Sequence, residues 1–143
     1  MYRTICTALI TFALGGVPAL AQDAPQGINL ELNAAADTTA GACRLTYVAS
    51  NQSDTALDRT AYEVAVFDAD GVVTRLLVLE FGVLVEGKTK ILQFDLADTP
   101  CNAISRIVVN DAAGCTEAGG TENAALCMQG LSAASRTAIQ FGI

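Results

Sequence analysis

Four cysteines between residues 43 and 127 constrain the fold of this chain more than any other feature. They are Cys43, Cys101, Cys115 and Cys127, and a fifth, Cys6, lies within an apolar leader. If that leader is removed, the odd count of five becomes an even four. An even number of cysteines in an oxidising compartment predicts disulfide bonds, and four cysteines allow three ways of pairing them. The predicted positions of the strands are therefore needed to decide between the three disulfide pairings.

Residues 1–21 have the three parts of a secretory signal. Arg3 gives a short positive start, an apolar stretch covers residues 5–14, and Ala19–Ala21 has the small-x-small pattern that a signal peptidase reads. The apolar stretch falls well short of the ~20 residues that span a bilayer, so we predict cleavage before Gln22 and no membrane span after it. The leader has no twin-arginine pair, which indicates the general secretory route, and it looks bacterial. We therefore expect a periplasmic or secreted protein.

The balance of charge excludes two classes of partner. The chain carries 15 acidic and 8 basic residues, and removal of the leader takes away one arginine and no acid, which leaves 122 residues with a net charge of −8. Nucleic acids and anionic membranes are bound through clustered lysine and arginine, so we expect neither as a partner. A chain of this length makes one ordinary domain, here residues 22–143.

Several residue types on which enzymes and metal sites depend are missing from the sequence. The chain has no histidine, and its cysteines form no Cys-x-x-Cys pair. Structural zinc sites usually take their ligands from closely spaced pairs, and redox-active dithiols use the same motif. The serines lie in no Gly-x-Ser-x-Gly or Ser-x-x-Lys arrangement, so none has an evident activating base. We therefore predict no catalytic residue, no metal and no cofactor, and we interpret the four cysteines as structural.

Short segments of alternating apolar and polar residues predict an all-β fold. Ile28, Leu30 and Leu32, for example, alternate with polar residues, as in a strand with one buried face. Turn residues recur roughly every eight to twelve positions and no amphipathic helix separates the strands, so we predict an antiparallel β-sandwich of six to seven strands. The predicted strands are 28–32, 43–50, 61–67, 72–81, 88–96, 104–110 and 136–141.

Two segments between the predicted strands lack a strand pattern. The segment 34–41 is small and polar, which predicts a loop. The segment 116–135 is ambiguous, because Asn123–Met128 is rich in Ala and Leu and could form a helical turn whose length Gly130 limits. We expect the chain to end in an irregular segment that is closed by a disulfide.

The strand positions favour one of the three disulfide pairings. Cys43 begins one predicted strand and Cys101 follows the end of a later one. Cys115 and Cys127 bracket a short polar stretch that cannot form a core of its own. We therefore predict the disulfides Cys43–Cys101 and Cys115–Cys127, for which chain-entropy estimates give about 4 and about 3 kcal/mol.

Three stretches of the chain carry recognisable motifs. Leu45–Asn51 ends a strand on asparagine, Tyr62–Val73 contains an aromatic-Asp-x-x-Gly hairpin, and Val85–Thr89 contains Gly-x-Thr before the next strand. Together they resemble the FxLYD class of immunoglobulin-like domains, which occur in exported bacterial proteins. The similarity covers about residues 43–111, and the chain departs from it in its four cysteines and its long C-terminal segment. The resemblance implies a β-sandwich with an accessory or binding role, and it carries over no catalytic residues.

The predicted strand 72–81 is apolar on both of its faces, which marks it as the candidate interaction surface or homodimer edge. A strand of this kind is either covered on both sides, here by the segment 116–135, or it exposes an apolar stripe to a partner. The sequence leaves both alternatives open. One predicted face carries Val72, Leu76 and Val78, and the other carries Val73, Leu77, Leu79 and Phe81.

Two functions from different classes fit these observations. The first is a non-enzymatic exported binding or accessory module, whose partner is another envelope protein or a second copy of the chain. The second is a small secreted inhibitor or effector that presents the Cys115–Cys127 loop, since a pre-ordered loop loses less entropy on binding. A hydrolase with paired carboxylates ranks third, because the chain has no tryptophan and only three tyrosines to hold a sugar.

Overall fold

Two β-sheets packed against each other make up residues 26–143, the part of the chain that the computed structural model describes. The predicted leader and its cleavage site lie outside the described residues. The described residues form eight strands rather than six to seven, and the predicted all-β sandwich is confirmed. The elements are β1 (Ile28–Asp37), β2 (Cys43–Asn51), β3 (Leu57–Phe67), β4 (Val73–Glu80), β5 (Thr89–Leu96), a 3₁₀ turn (Cys101–Ala103), β6 (Arg106–Glu117), α1 (Ala124–Met128), β7 (Ser132–Ser135) and β8 (Gln140–Gly142).

The order of the strands leaves β4 and β5 at neighbouring edges of the sandwich. One sheet has the order β5-β2-β1-β7 and the other has the order β4-β3-β6-β8. Neighbouring strands are antiparallel except for β1 with β7 and β6 with β8, which are parallel. On the opposite side of the sandwich, β7 and β8 follow each other in the chain and contact each other. The side formed by β4 and β5 is therefore the open one.

Three strands are longer than predicted. β1 continues to Asp37, which lies opposite Cys43, so half of the predicted loop 34–41 is strand. β3 begins at Leu57 and β6 runs to Glu117, and these two ends pair with each other. Each extension contains a shift of register, and a bulge interrupts the alternation on which the prediction relied. Pairing with a neighbouring strand, rather than local sequence, sets these boundaries.

Most of the predicted last strand, 136–141, is a turn between two short strands. β7 ends before this segment and β8 begins near its end, so the chain turns between them. The Ser135 hydroxyl donates to the carbonyl oxygen of Ile139 at 2.6 Å, and the Thr137 hydroxyl accepts from the Ile139 amide at 3.1 Å. These side-chain bonds compete with a strand ladder. They form a corner that carries the chain from one sheet to the other.

Aromatic rings occupy the centre of the core. Tyr47 packs edge-on against Phe81, Phe94 and Phe141, with ring centroids 5.8, 5.9 and 5.2 Å apart. Pairs of this geometry contribute about 0.5–1.5 kcal/mol each beyond the burial of their surface. Aliphatic side chains from both sheets fill the space around the rings. The largest of them are Ile28, Leu30, Leu32, Leu45, Leu57, Val64, Leu79, Leu84 and Ile107.

Both predicted disulfides are present. Cys43–Cys101 joins the start of β2 to the 3₁₀ turn that follows β5, and Cys115–Cys127 joins β6 to α1. The helix begins after Asn123, whose side-chain oxygen accepts from the amide of Leu126 at 3.1 Å. The segment 116–135 thus contains the end of β6, a turn, α1 and β7. The ambiguity about this segment is resolved in favour of one short helix and one short strand.

Candidate interaction surface

β4 presents an apolar outer side at the open edge of the sandwich. Leu76 and Val78 of β4 are 60% and 50% exposed, whereas Leu79 and Phe81 are buried. Val72 is 58% exposed in the turn before β4, and it does not share the face of Leu76 on which it was predicted. Apolar side chains are common singly on protein surfaces, but a contiguous group of them marks a site of interaction. The structure thus divides the predicted interaction residues into an exposed set and a set that belongs to the core.

The segment 116–135 does not cover β4. Its helix α1 packs against β6, and its strand β7 pairs with β1 in the other sheet. The Tyr62 hydroxyl donates to the carbonyl oxygen of Cys127 at 2.9 Å, which fixes the end of the helix over the core. Of the two alternatives that the sequence left open, the exposed apolar stripe is therefore the one observed.

Val73 lies on the same face as Leu76, and its predicted place with Leu77 and Leu79 is wrong. In the ladder Val73 lies opposite Phe67, and Leu76 lies opposite Ala65. Phe67 and Ala65 are two residues apart on β3, so they point to the same side of the sheet. Thr74 is the extra residue of a bulge that shifts the alternation by one position. The bulge adds Val73, which is 47% exposed, to the outer face.

The exposed residues of β4 continue across the outer face of the sheet. Ala65 of β3 lies between Leu76 of β4 and Val108 of β6, so three apolar side chains form a row across three strands. Phe67 and Val108 are half-buried, and Ala65 is almost covered by its neighbours. We call this surface the outer patch. It comprises Ala65, Phe67, Val73, Leu76, Val78 and Val108.

Charged side chains of opposite sign lie at the two ends of the outer patch. At one end, the guanidinium of Arg106 lies over the Phe67 ring, 4.2 Å from its centroid. At the other end, Glu63 of β3 and Asp111 of β6 lie opposite each other in the ladder. The side-chain amide of Asn110 donates a hydrogen bond to the carboxylate of Glu63. Glu63 and Asp111 carry like charges at opposite positions, so they repel each other. The outer patch therefore has a cationic end and an anionic end.

Sequence reasoning identified the β4 part of the outer patch and missed the rest. A signal was present in β3, because Ala65 and Phe67 alternate with core residues and are apolar although they point outward. Val108 and Arg106 gave no comparable signal, since only the order of the strands places β6 beside β3.

A shallow groove separates β4 from β5 at the open edge. Half-buried Leu77, the last of the predicted interaction residues, lines it together with Phe94, and its volume is about 450 Å³. At one end Arg75 donates to a backbone carbonyl oxygen beyond β5 at 3.1 Å. At the other end the ammonium group of Lys90 donates to the carbonyl oxygen of Phe81 at 2.7 Å. Within residues 26–143 no backbone ladder joins β4 to β5, and these two side chains bridge the two edge strands instead.

The loop between Cys115 and Cys127, the second predicted site, presents little chemistry. Its exposed tip, residues 118–121, has the sequence Ala-Gly-Gly-Thr. The amide of Glu117 donates to the carbonyl oxygen of Thr121 at 2.8 Å, so the tip is a tight turn. The disulfide and this turn restrain the loop, but its tip offers no large side chain to fill a pocket on a target.

The part of the chain that the structure describes contains neither a metal cluster nor a membrane-spanning helix. No group of three or more His, Cys, Asp or Glu side chains within residues 26–143 is placed to hold a metal ion. The single α-helix of this part is too short to cross a bilayer.

No family model, curated protein or solved structure matches this chain, so the resemblance to FxLYD domains stays a prediction. The structure gives residues of that resemblance a local role. Asn51 is buried, and its side-chain amide donates to the carbonyl oxygens of Thr55 and Leu84 at 2.8 and 3.0 Å. The Gly87 amide donates to the carbonyl oxygen of Asn51 at 2.8 Å. These bonds hold the connection between β4 and β5 against the end of β2.

Proposed function

We propose that this chain is an exported, non-enzymatic binding module that docks a protein partner on the outer patch. The observation that carries the proposal is the exposure of Leu76 and Val78, at 60% and 50%, on an outer sheet face that continues with apolar residues on two further strands. Removal of apolar surface from water contributes about 25 cal/mol per Å². An apolar centre bordered by charged residues is the usual composition of a protein–protein interface.

Three features support export. Residues 1–21 have the parts of a cleavable signal, and the four cysteines that follow it are all joined in disulfides, which persist in oxidising compartments. The net charge of −8 that remains after cleavage favours solubility. We place the working chain in the bacterial periplasm or outside the cell.

The chemistry of the outer patch supports binding rather than catalysis. Its surface consists of alkyl and phenyl groups, which neither transfer protons nor act as nucleophiles. The outer face of a sheet is also broad and open, whereas small molecules are usually held in concave pockets. Another protein is therefore the ligand that suits this surface best.

A secreted inhibitor or effector that presents the Cys115–Cys127 loop is the second candidate. The disulfide and the tight turn at residues 117–121 favour it, because they hold the loop in one conformation before binding. Binding energy at interfaces is concentrated in large side chains such as Trp, Tyr and Arg. The small side chains of residues 118–121 make this candidate the weaker one.

A photo-crosslinking amino acid at position 78 tests the proposed function. Benzoylphenylalanine replaces Val78 in cells that export the chain, and the same residue at position 91 is the control, because Ile91 is 68% exposed on the outer face of the other sheet. We expect protein adducts from position 78 alone, and we expect Leu76→Asp in the same chain to remove them. Equal adducts from both positions, or none from position 78, contradict the proposal.

The intact mass of the exported chain tests the compartment separately. We expect a chain that begins at Gln22 and in which all four remaining cysteines are oxidised. A full-length chain that stays in the cytoplasm with reduced cysteines contradicts the export part of the proposal.

A further inference from the structure

The charges at the two ends of the outer patch have no opposite partner within residues 26–143. Arg106 at one end is separated from Glu63 and Asp111 at the other by about four residues of strand, roughly 13 Å, which is too far for an ion pair. All three side chains remain available to another molecule. The ion pairs that the described residues do form are Arg44–Asp95, Arg59–Glu80 and Arg136–Glu31.

We propose that the partner of the outer patch is a second copy of this chain, docked face to face about a two-fold axis that runs across the strands. The proposal rests on the proposed function, in which the outer patch binds a protein. Rotation about this axis reverses the strand direction, so the cationic end of each copy meets the anionic end of the other. An axis along the strands would instead bring the Arg106 side chains of the two copies together, which like-charge repulsion disfavours.

The central row of the outer patch fits this axis. Leu76, Ala65 and Val108 lie between the two charged ends, so each faces its own counterpart in the second copy. Packed sheets lie about 10 Å apart, and the small Ala65 leaves room for the side chains on either side of it to interdigitate. The same rotation brings Arg106 towards the partner's Asp111 on the facing strand.

Two features of β4 favour contact through the face over contact through the edge. The bulge at Thr74 disturbs the regular spacing of the free backbone groups that edge-to-edge pairing needs. Arg75, on the core-facing side of β4, reaches across the groove to the carbonyl oxygen of Ala97 and ties this edge to the other sheet. Edge pairing would also leave Val108, which lies two strands away, uncovered.

The size of the face predicts a weak, reversible dimer. Three strands about 4.8 Å apart and eight residues of about 3.3 Å each give a contact of roughly 400 Å² per copy. The area lost by both copies together is then about 800 Å², which is below the size of a stable interface and within the range of weak, transient ones. We therefore expect dissociation constants of about micromolar magnitude and a monomer in dilute solution.

Charge reversal tests the proposed axis by sedimentation equilibrium of the mature chain with both disulfides intact. One variant carries R106E, and the other carries E63K together with D111K. Each variant alone places like charges across the interface, so we expect its self-association to weaken at least about tenfold. When the two are mixed, opposite charges face each other at both contacts. We expect a heterodimer whose affinity is within about threefold of that of the native dimer.

Substitution of exposed apolar residues by glutamate tests whether dimerisation uses the outer patch or another part of the surface. Leu76→Glu places a charge near the two-fold axis, so we expect at least about 100-fold weaker dimerisation. Ile91→Glu changes a similarly exposed side chain on the other sheet and is expected to leave dimerisation unchanged. Urea unfolding of each variant verifies that the fold is retained.

A crosslinker in place of Val108 distinguishes the face from the edge. Benzoylphenylalanine at this position is expected to form an adduct between two copies only in the face-to-face dimer. A native chain that remains monomeric at millimolar concentration, or a charge-reversed mixture that does not form a heterodimer, overturns the proposal. If the native chain is monomeric and position 78 captures a different protein, the proposed function stands while the dimer falls. If position 78 captures nothing at all, both fall.

Discussion

Two buried tyrosines differ in one hydrogen bond, and the difference makes their hydroxyl groups a sharp test of the core. Both residues are fully buried, and burial raises the pKa of both hydroxyls. The Tyr62 hydroxyl donates to the carbonyl oxygen of Cys127 at 2.9 Å. The Tyr47 hydroxyl has no hydrogen-bond partner among the described residues. Replacement of either residue by Phe removes one oxygen atom and keeps the ring, so it isolates the contribution of the hydroxyl.

The two substitutions are expected to change stability in different directions. Tyr62→Phe should lower the free energy of unfolding by about 1–2 kcal/mol, because the hydrogen bond is lost and the carbonyl oxygen of Cys127 loses its donor. Tyr47→Phe should leave it unchanged or raise it by up to about 1 kcal/mol, because a buried hydroxyl without a partner is desolvated without compensation. The two variants should therefore differ by roughly 2 kcal/mol, or about 6–10 °C in Tm for a domain of this size.

Urea unfolding of the native chain and both variants, followed by circular dichroism, measures the difference. Equal slopes of the free energy against urea concentration confirm that the substitutions leave the unfolded state comparable. A Tyr47→Phe variant that loses more than about 1 kcal/mol would refute the reasoning, because it would mean that this hydroxyl has a partner. Equal effects of the two substitutions would refute it as well.

Three further substitutions test the Cys115–Cys127 disulfide, the ion pair of Asp95 and the backbone conformation of Gly130. Replacement of Cys115 and Cys127 together by Ser should lower the free energy of unfolding by about 3 kcal/mol in urea, and an unchanged midpoint would contradict the loop-closure account. The hydrogen bonds from Arg44 hold the pKa of Asp95 below its ordinary 3.8, so this carboxylate stabilises the fold above that pH and the stabilisation is lost as the pH falls further. Asp95→Asn should therefore flatten the decline of stability below about pH 4 in an acid titration, and an unaltered acid limb would count against it. Gly130 has φ +72°, and a Cβ there would meet a backbone carbonyl oxygen. Gly130→Ala should therefore lower the free energy of unfolding in urea by more than about 1 kcal/mol.

The functional proposals depend on an arrangement that no single strand contains. The exposed residues of β4 alone form a narrow stripe, and the outer patch becomes a broad surface only because Ala65 and Val108 lie beside them. Its cationic end is Arg106 of β6, and its anionic end combines Asp111 of the same strand with Glu63 of β3. The outer patch is therefore assembled by the sheet and is not a property of any one strand.

Local patterns were sufficient for the centres of most strands and for the disulfides. Ile28, Leu30 and Leu32 are all buried, because the alternation of a half-buried strand is a property of consecutive residues. The pairing of Cys43 with Cys101 also followed from their positions at strand ends. The alternation of buried residues and the positions of the cysteines can be read from each segment by itself, so a single sequence is enough to predict them.

Local patterns failed where two strands together decide the structure. The bulge at Thr74 moved Val73 to the outer face, and the corner at residues 135–139 takes up most of the predicted strand 136–141, of which only the last two residues belong to β8. A bulge arises when one strand has an extra residue relative to its neighbour, so its position is not written in either strand alone. The same reason explains why the ends of β1, β3 and β6 were predicted too short.

The sequence by itself determined that the described part of this chain is an all-β sandwich with two disulfides, since alternation and cysteine position are properties of the chain read in order. Only the tertiary structure decided which strands are neighbours, and with that choice it decided that the apolar side of β4 stays uncovered. Strand pairing brings together segments that are far apart in the chain, such as Leu76 and Val108. Backbone hydrogen bonds alone allow several registers, and the register is fixed by the side chains that must be buried in the core. The outer patch and its opposed charges exist because the core selected this register.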